Sequence, residues 1–235
     1  MQSENRQTSA GTRTPAPPVT GATPRAPVPP LCVQRLGLAE FGPSYAAMRQ
    51  FTTSRQEDTP DELWILQHPP VYTAGLACRS EHLPRGSSIP LERIDRGGQI
   101  TYHGPGQVVI YTLLDLARRK LKIRALVSLL EQAVINTLAR RGTLAQRSSG
   151  APGVYVNGAK VAALGLRVRS AGCYHGLALN VDMDLAPFRA IDPCGYPGLA
   201  VTRTRDLGID APAGELGERL AAELTRLLEQ HERRR

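Results

Sequence analysis

Asn157-Gly158 stands between two apolar runs, Val154-Tyr-Val156 and Ala159 to Val168. An Asn-Gly pair readily takes the two left-handed conformations of a two-residue hairpin turn, so this dipeptide commits the chain to an antiparallel pair of strands. On the second strand a period of two puts Lys160, Ala162, Leu164, Leu166 and Val168 on one face and turns Arg167 and Arg169 to the other. Lys160 is therefore expected among apolar neighbours beside a turn, where burial favours its neutral form and lowers its pKa. A strand-end lysine that reaches back to water is the plainer alternative. Lysine is scarce here: of 29 basic residues only Lys120, Lys122 and Lys160 are lysines. Arginine stays protonated, whereas a desolvated lysine can give up its proton, so a lysine kept in this background invites a chemical reading.

Around that hairpin, strands and helices interleave. Leu31 to Leu38, Leu63 to Leu66, Val71 to Thr73 and Gln107 to Leu114 read as strands. Tyr45, Met48 and Phe51 recur at helical spacing, as do Ile123, Leu126, Val127, Leu130, Val134 and Leu138, with Gly142 as the stop. Leu216, Leu220, Leu224 and Leu227 mark a closing amphipathic helix. Residues 75–90 carry no period and read as a loop. The pattern predicts an α/β (α+β) fold: a single domain with a mixed, largely antiparallel sheet and packed helices. Residues 1–30 hold seven of the 19 prolines and one acidic residue, Glu4, and are expected to form a disordered tail before a folded domain over 31–235. An acid-poor leader could also be an organellar transit peptide, but its prolines oppose the amphipathic helix such a peptide needs.

The densest polar segment is Arg96-Gly-Gly-Gln-Ile-Thr-Tyr-His-Gly-Pro-Gly-Gln107. Gly97 and Gly98 let the backbone approach another group closely, and Gly104-Pro105-Gly106 forces a turn. Neither a Walker phosphate loop nor a dinucleotide fingerprint is present. In Tyr174-His-Gly-Leu-Ala-Leu-Asn-Val181, Leu177, Leu179 and Val181 share a face and Gly176, Ala178 and Asn180 the other. The small side leaves room either for an extended apolar ligand or for a packed helix. Asp192-Pro193-Cys194-Gly195 matches the preferences of a type I turn that holds Cys194 at its tip. A cysteine exposed in a rigid turn is a candidate nucleophile when a cation is near. Cys32 and Cys173 sit in strand-like surroundings and read as structural, while Cys78, in a loop, stays open.

These segments carry a resemblance. His68-Pro-Pro-Val-Tyr-Thr-Ala-Gly75, the Arg96 to Gln107 run, Gly158-Ala-Lys160-Val-Ala-Ala-Leu-Gly165, His175-Gly-Leu-Ala-Leu-Asn180 and Pro193-Cys-Gly195 occur in the order found in lipoate-biosynthesis octanoyltransferases, the lipoyl(octanoyl) transferases. The sequence resembles that family over roughly residues 31–205. The resemblance implies a fold similar to the catalytic domain of biotin and lipoate protein ligases. It implies transfer of octanoyl from octanoyl-acyl carrier protein to a specific lysine of lipoyl domains, those of 2-oxoacid dehydrogenase E2 subunits and of the glycine cleavage H protein, as the first step of endogenous protein lipoylation. Cys194 would carry the acyl group as a thioester and Lys160 would tune it. Arg96, Gly97, Gly98, Gln99, Ile100, Thr101, Tyr102 and His103, with Ala163, Leu164 and Gly165 and with Gly176, Leu177 and Ala178, would line the acyl site. The Gly195 turn would offer N–H donors to the oxyanion.

The rest of the composition narrows partners and setting. The balance is +8, which suits acidic partners without naming one. With 5% aromatics and no known motif, a nucleic-acid-binding module is not expected. No apolar run approaches the roughly 18–20 residues of a membrane helix. Cys78 and His82, and Cys173 and His175, lack the spacing of structural zinc sites, so no metal or other cofactor is expected. Four cysteines without a disulfide framework fit a reducing cytoplasm. The rival reading is an ATP-dependent lipoate or biotin protein ligase, in which Cys194 would be dispensable.

Overall fold

The computed structural model describes residues 29–170 and 172–234. The expected tail, residues 1–30, lies almost entirely outside them. The described chain runs through β1 (Cys32–Leu38), α1 (Phe41–Ser54), β2 (Glu62–Gln67), β3 (Val71–Ala74), β4 (Leu91–Arg93), β5 (Ile100–His103) and β6 (Gln107–Asp115). It continues through α2 (Ile123–Ala139), β7 (Gln146–Arg147), β8 (Val154–Val156), β9 (Ala159–Arg169), β10 (Gly172–Asn180) and α3 (Ala213–Arg233). A seven-stranded sheet has the order β1-β2-β6-β10-β9-β8-β7 and a three-stranded sheet the order β4-β3-β5. Only β1·β2 and β3·β4 are parallel, so the mixed, largely antiparallel α/β reading holds. Strands β4, β5 and β7 are not among the strands the sequence pattern marked, and β4 shows why most plainly. Its three residues are all exposed and carry no alternation to read.

Each face of the large sheet is buried differently. Leu63, Ile65, Val108, Ile110, Leu177 and Leu179 point to α2 and α3 and form the main core. Helix α3 contributes buried Leu216, Leu220, Leu224 and Leu228, and the expected Leu227 packs against the same core while partly buried. On the opposite face, Trp64, Leu66, Val109, Tyr111 and Tyr174 meet Met48 of α1. Helix α1 covers only part of that face, and the small sheet stands beside it. Helix α2 closes as expected: Gly142 takes φ +78°, and Thr143 N donates to Leu138 O at 3.1 Å.

One buried charge cluster ties the sheet edge to its surroundings. Asp61 is fully buried, with Oδ1 2.7 Å from Arg55 Nη1 and 2.8 Å from Arg118 Nη2, while Oδ2 accepts from Arg119 Nε. The backbone N–H of Asp115 also donates to Asp61 Oδ1 at 2.8 Å. Removing this carboxylate leaves three guanidinium groups facing one another with one strand amide unpaired. Asp61→Ala is therefore expected to cost about 3–5 kcal/mol, read as a lowered urea midpoint at unchanged m. A loss under about 1 kcal/mol contradicts that reading.

Candidate active site

The hairpin forms as the Asn-Gly pair requires, with φ +49° at Asn157 and +81° at Gly158. The strand that follows does not alternate regularly. Val154 pairs with Ala162 but Tyr155 pairs with Lys160, so Val161 is an extra residue in β9. This bulge reverses the face of everything before it. Ala162, Leu164 and Leu166 pack on the α2/α3 core, whereas Lys160 swings to the side of Ala163 and Gly165. The expectation that Lys160 shares a face with Ala162, Leu164, Leu166 and Val168 is thus corrected.

Lys160 is buried, with 4% exposure, and does not snorkel. Its Nζ donates to Pro152 O at 3.1 Å and to Cys194 Sγ at 3.2 Å. Burial alone pulls its pKa down. The Cys194 sulfur and the Tyr155 hydroxyl outweigh that pull and carry it above the ordinary lysine value, opposite to the direction expected from burial. Its backbone is fixed on both sides, by Lys160 N to Ala200 O at 2.8 Å and Thr202 N to Lys160 O at 3.0 Å.

Cys194 sits in two overlapping turns, closed by Gly195 N to Asp192 O at 2.9 Å and Tyr196 N to Pro193 O at 3.1 Å. With φ +58°, ψ +17°, Cys194 is left-handed, so the Asp192–Gly195 turn is not the type I turn expected from its residues. A non-glycine residue in that region costs about 1–2 kcal/mol. Gly195 must be glycine: at φ +76° a Cβ would also lie 2.7 Å from Gln99 Cγ. The N–H groups of Gly195 and Tyr196 are spent on closing the turns. The expected oxyanion donors are therefore occupied.

Both residues open on a cavity of about 620 Å³. Its floor is the small-residue stripe across β9 and β10, where Gly165 pairs with Gly176 and Ala163 with Ala178. Among the described residues no helix fills the space above them, so of the two alternatives the sequence leaves, a packed helix or a slot, the stripe faces open space. The roof is the Gly97 to Ile100 segment, anchored by Gly97 N to Leu166 O at 2.9 Å on the side of β9 that β8 no longer covers. Arg96 crosses the floor, its Cδ 2.8 Å from where a Gly165 Cβ would stand. Its guanidinium donates to Thr73 O at 2.6 Å, Thr73 Oγ1 at 3.0 Å and Gly97 O at 3.0 Å. Those partners are neutral, and burial lowers the Arg96 pKa to about 10. No Asp or Glu lines the cavity among the described residues.

Of the expected lining residues, the structure brings together Arg96, Gly97, Gly98, Gln99, Ile100, Thr101, His103, Ala163, Leu164, Gly165, Gly176, Leu177 and Ala178. Tyr102 is outside the wall; its ring packs with Tyr72 and Phe188. Cys194 is the only cysteine on the wall among the described residues. Cys173 is fully buried, its thiol held by Thr112 O at 3.3 Å and pushed up to about 12 by burial. Burial also raises Cys78.

Phe41, His82, Tyr111 and His175 line the wall without being among the expected lining residues, although His175 opens the His175 to Asn180 motif and the sequence offers His82 and His175 only as metal-pair partners. Phe41, from α1, packs near parallel to the His103 ring at 6.3 Å. His175 takes φ +63°, an outlier inside a strand. Asp95, next to Arg96, accepts from Tyr45 at 2.8 Å and Tyr174 at 2.5 Å, which fastens the start of the roof to α1 and β10. A polar chain runs from the Arg96 guanidinium toward the Lys160 backbone: Arg96 to Thr73, Thr73 to His103, His103 to Gln107 at 2.7 Å, Gln107 to Asn180 at 2.9 Å, and Asn180 to Thr202 O at 3.0 Å, with Thr202 N bonded to Lys160 O.

The family model for the lipoyl protein ligase A/B catalytic domain matches residues 43–225. The chain is 62% identical over 200 residues to an octanoyltransferase of Azoarcus sp., covering 85% of this chain and 88% of that one. It is 59% identical over 209 residues to an octanoyltransferase of Aromatoleum aromaticum, covering 87% and 90%. Among solved structures, a bipartite lipoate protein ligase of Thermoplasma acidophilum aligns with a TM-score of 0.69 at 18% identity, covering 86% and 84%. The biotin protein ligase of Aquifex aeolicus aligns at 0.53 and 11%, covering 87% and 72%. These structures show the shared fold.

The neutral histidines around the cavity set an acid limit. Burial, the larger influence in both, lowers His103 to about 3 and His175 to about 4, against 6.5 in the unfolded chain. Below pH 6.5 the unfolded chain takes up protons that the folded chain refuses, so stability falls as pH falls, by ~2 kcal/mol per group at pH 5. His103→Asn is expected to lower stability at pH 7 but to shrink the loss between pH 7 and pH 5 by ~2 kcal/mol, measured by urea denaturation at each pH. An unchanged pH slope contradicts the assignment.

Proposed function

The chain belongs to the lipoyl protein ligase A/B catalytic-domain family and, within it, to the octanoyltransferases, and from that premise we propose that it moves octanoyl from octanoyl-acyl carrier protein through a Cys194 thioester to a lipoyl-domain lysine. The observation that carries this reading is Lys160 Nζ at 3.2 Å from Cys194 Sγ on the wall of an apolar cavity. The acyl chain lies over Gly165, Gly176, Ala163 and Ala178, where larger side chains would fill the slot. The acceptors we propose are the lipoyl domains of 2-oxoacid dehydrogenase E2 subunits and the glycine cleavage H protein.

The proton follows from the electrostatics of the pair. Cys194 as thiolate attacks the donor thioester carbonyl and expels the carrier thiolate, which takes its proton from the Lys160 ammonium. Lys160, 3.2 Å from Cys194 Sγ, takes the oxyanion-donor role in this scheme in place of the occupied Gly195 turn. Once Cys194 is acylated its negative charge is gone, and burial acts on Lys160 with less opposition. The same lysine then favours its neutral form and can take the proton of the attacking acceptor amine. Formation of the amide returns the Cys194 thiolate and the Lys160 ammonium. The acyl group arrives activated, so no nucleotide enters the scheme, unlike the rival ligase reading.

Enzyme mixed with octanoyl-loaded carrier protein alone is expected to gain one octanoyl group, labile to hydroxylamine and mapping to the Cys194 peptide. Cys194→Ala loses adduct and turnover, whereas alanine at Cys32 or Cys173 changes stability at most. Lys160→Arg keeps the charge but not the base, and should lose on the order of 100-fold or more in turnover. An adduct on Cys78, or near-normal turnover by either active-site variant, overturns this mechanism.

We further propose that residues 1–30 stand outside the catalytic domain. Deleting them is expected to leave transfer within about twofold of the full chain. An insoluble or inactive product contradicts that boundary.

A further inference from the structure

Cys194 holds a left-handed backbone that a non-glycine residue keeps only where its surroundings impose it. Asp192 opens the turn, yet its carboxylate makes no capping bond to the turn's own N–H groups. It accepts instead from His82 Nδ1 at 2.9 Å. His82 is 6% exposed and belongs to a 3-10 turn, Ser80–His82, in the segment before β4. That segment grips the cysteine-bearing stretch twice, since Arg85 N also donates to Ala190 O at 3.0 Å. It is braced against the roof by Arg79 N to Gln99 Oε1 at 3.2 Å, and Gln99 itself abuts Gly195.

We propose that His82 is a positioning residue for the nucleophile: through Asp192 it holds the Pro193–Gly195 turn, and with it the Cys194 sulfur, against Lys160. The inference rests on Cys194 being the acyl carrier. In this role His82 acts through the bond between its Nδ1 and Asp192 and not by proton transfer. A nucleophile displaced by about 1 Å loses on the order of 100-fold in rate, and the loss falls on the chemical step rather than on donor binding.

The test compares His82→Leu, His82→Asn and Asp192→Ala in the full chain. It reads acyl-enzyme formation from octanoyl-loaded carrier protein in a single turnover, with iodoacetamide alkylation of the Cys194 peptide as a readout without donor. His82→Leu is expected to slow acylation by roughly 10- to 100-fold with the donor KM within about twofold, and to alter Cys194 alkylation. His82→Asn, which keeps an N–H donor near the Nδ1 position, recovers most of the rate. Asp192→Ala gives the same loss, and the double variant His82→Leu/Asp192→Ala is no worse than either single one. The carboxylate of Asp192 is partly exposed, so Asp192→Ala and its alkylation rate decide the matter if His82→Leu does not fold. A raised KM at unchanged kcat, additive losses, or a normal acylation rate overturns the inference. Cys194→Ala is run alongside: if it still turns over, the carrier assignment fails. If it is dead while His82→Leu and Asp192→Ala are normal, the carrier assignment stands and the His82 inference alone fails.

Discussion

The register of β9 is the constraint on which the site depends. One extra residue, Val161, lets the strand serve two neighbours in conflicting ways. Ahead of the bulge, Lys160 points into the cavity; beyond it, Leu164 and Leu166 point to the core while Ala163 and Gly165 make the floor. Without the bulge, a side-chain period of two would carry Lys160 to the core face and away from Cys194. The same strand loses β8 as a partner beyond Ala162, and the uncovered side at Leu166 receives Gly97 and hence the roof. The position of Lys160, the floor and the roof are therefore set by one ladder.

The cavity concentrates positive charge without carboxylates. Arg96 and Lys160 are buried on its wall, and two of the histidines beside them are held neutral by burial and by Arg96. Buried cations without counter-charge are costly unless neutral oxygens surround them. Arg96 is met by the Thr73 carbonyl and hydroxyl and by the Gly97 carbonyl, while the Cys194 sulfur raises both cations. The polar chain from Thr73 through His103, Gln107 and Asn180 ends on the carbonyl of Thr202, the residue hydrogen-bonded to the Lys160 backbone. The Arg96 guanidinium and the Lys160 backbone are thus joined by one polar network that spans both sheets and admits few rearrangements.

The sequence discloses those features whose physics is local. The Asn157-Gly158 hairpin, the three amphipathic helices and the turn character of residues 192–195 follow from turn chemistry and period, and they carry most of the fold. The glycines of the roof and floor are visible for the same reason. What a single strand cannot disclose is a bulge, because the extra residue is defined only against its partner: Val161 is an ordinary apolar residue in an apolar run. The direction of the Lys160 pKa is out of reach of local reasoning as well, because burial is visible along the strand and a sulfur 34 residues away is not. His82 is out of reach too, since its partner Asp192 is 110 positions on. Tyr102 shows the converse error: it lies inside the most informative segment, yet strand alternation turns it to Tyr72 and Phe188.

The fold alone does not separate a transferase from the ligases that share it. At 18% and 11% identity the lipoate and biotin protein ligases preserve the backbone arrangement, and fold by itself carries no chemistry. Separation comes from what stands on the scaffold: a cysteine held left-handed in a glycine-dependent turn, a lysine brought to it by a bulge, and a roof that closes on the floor between them. A ligase that activates a free acid with nucleotide has no use for a strained cysteine at the cavity wall. Strain of that kind persists only where surrounding contacts impose it, and here Gln99 against Gly195, His82 on Asp192 and Lys160 on the sulfur impose it from three sides. That convergence on one thiol is the physical observation that supports the covalent acyl transfer proposed for this member of the fold.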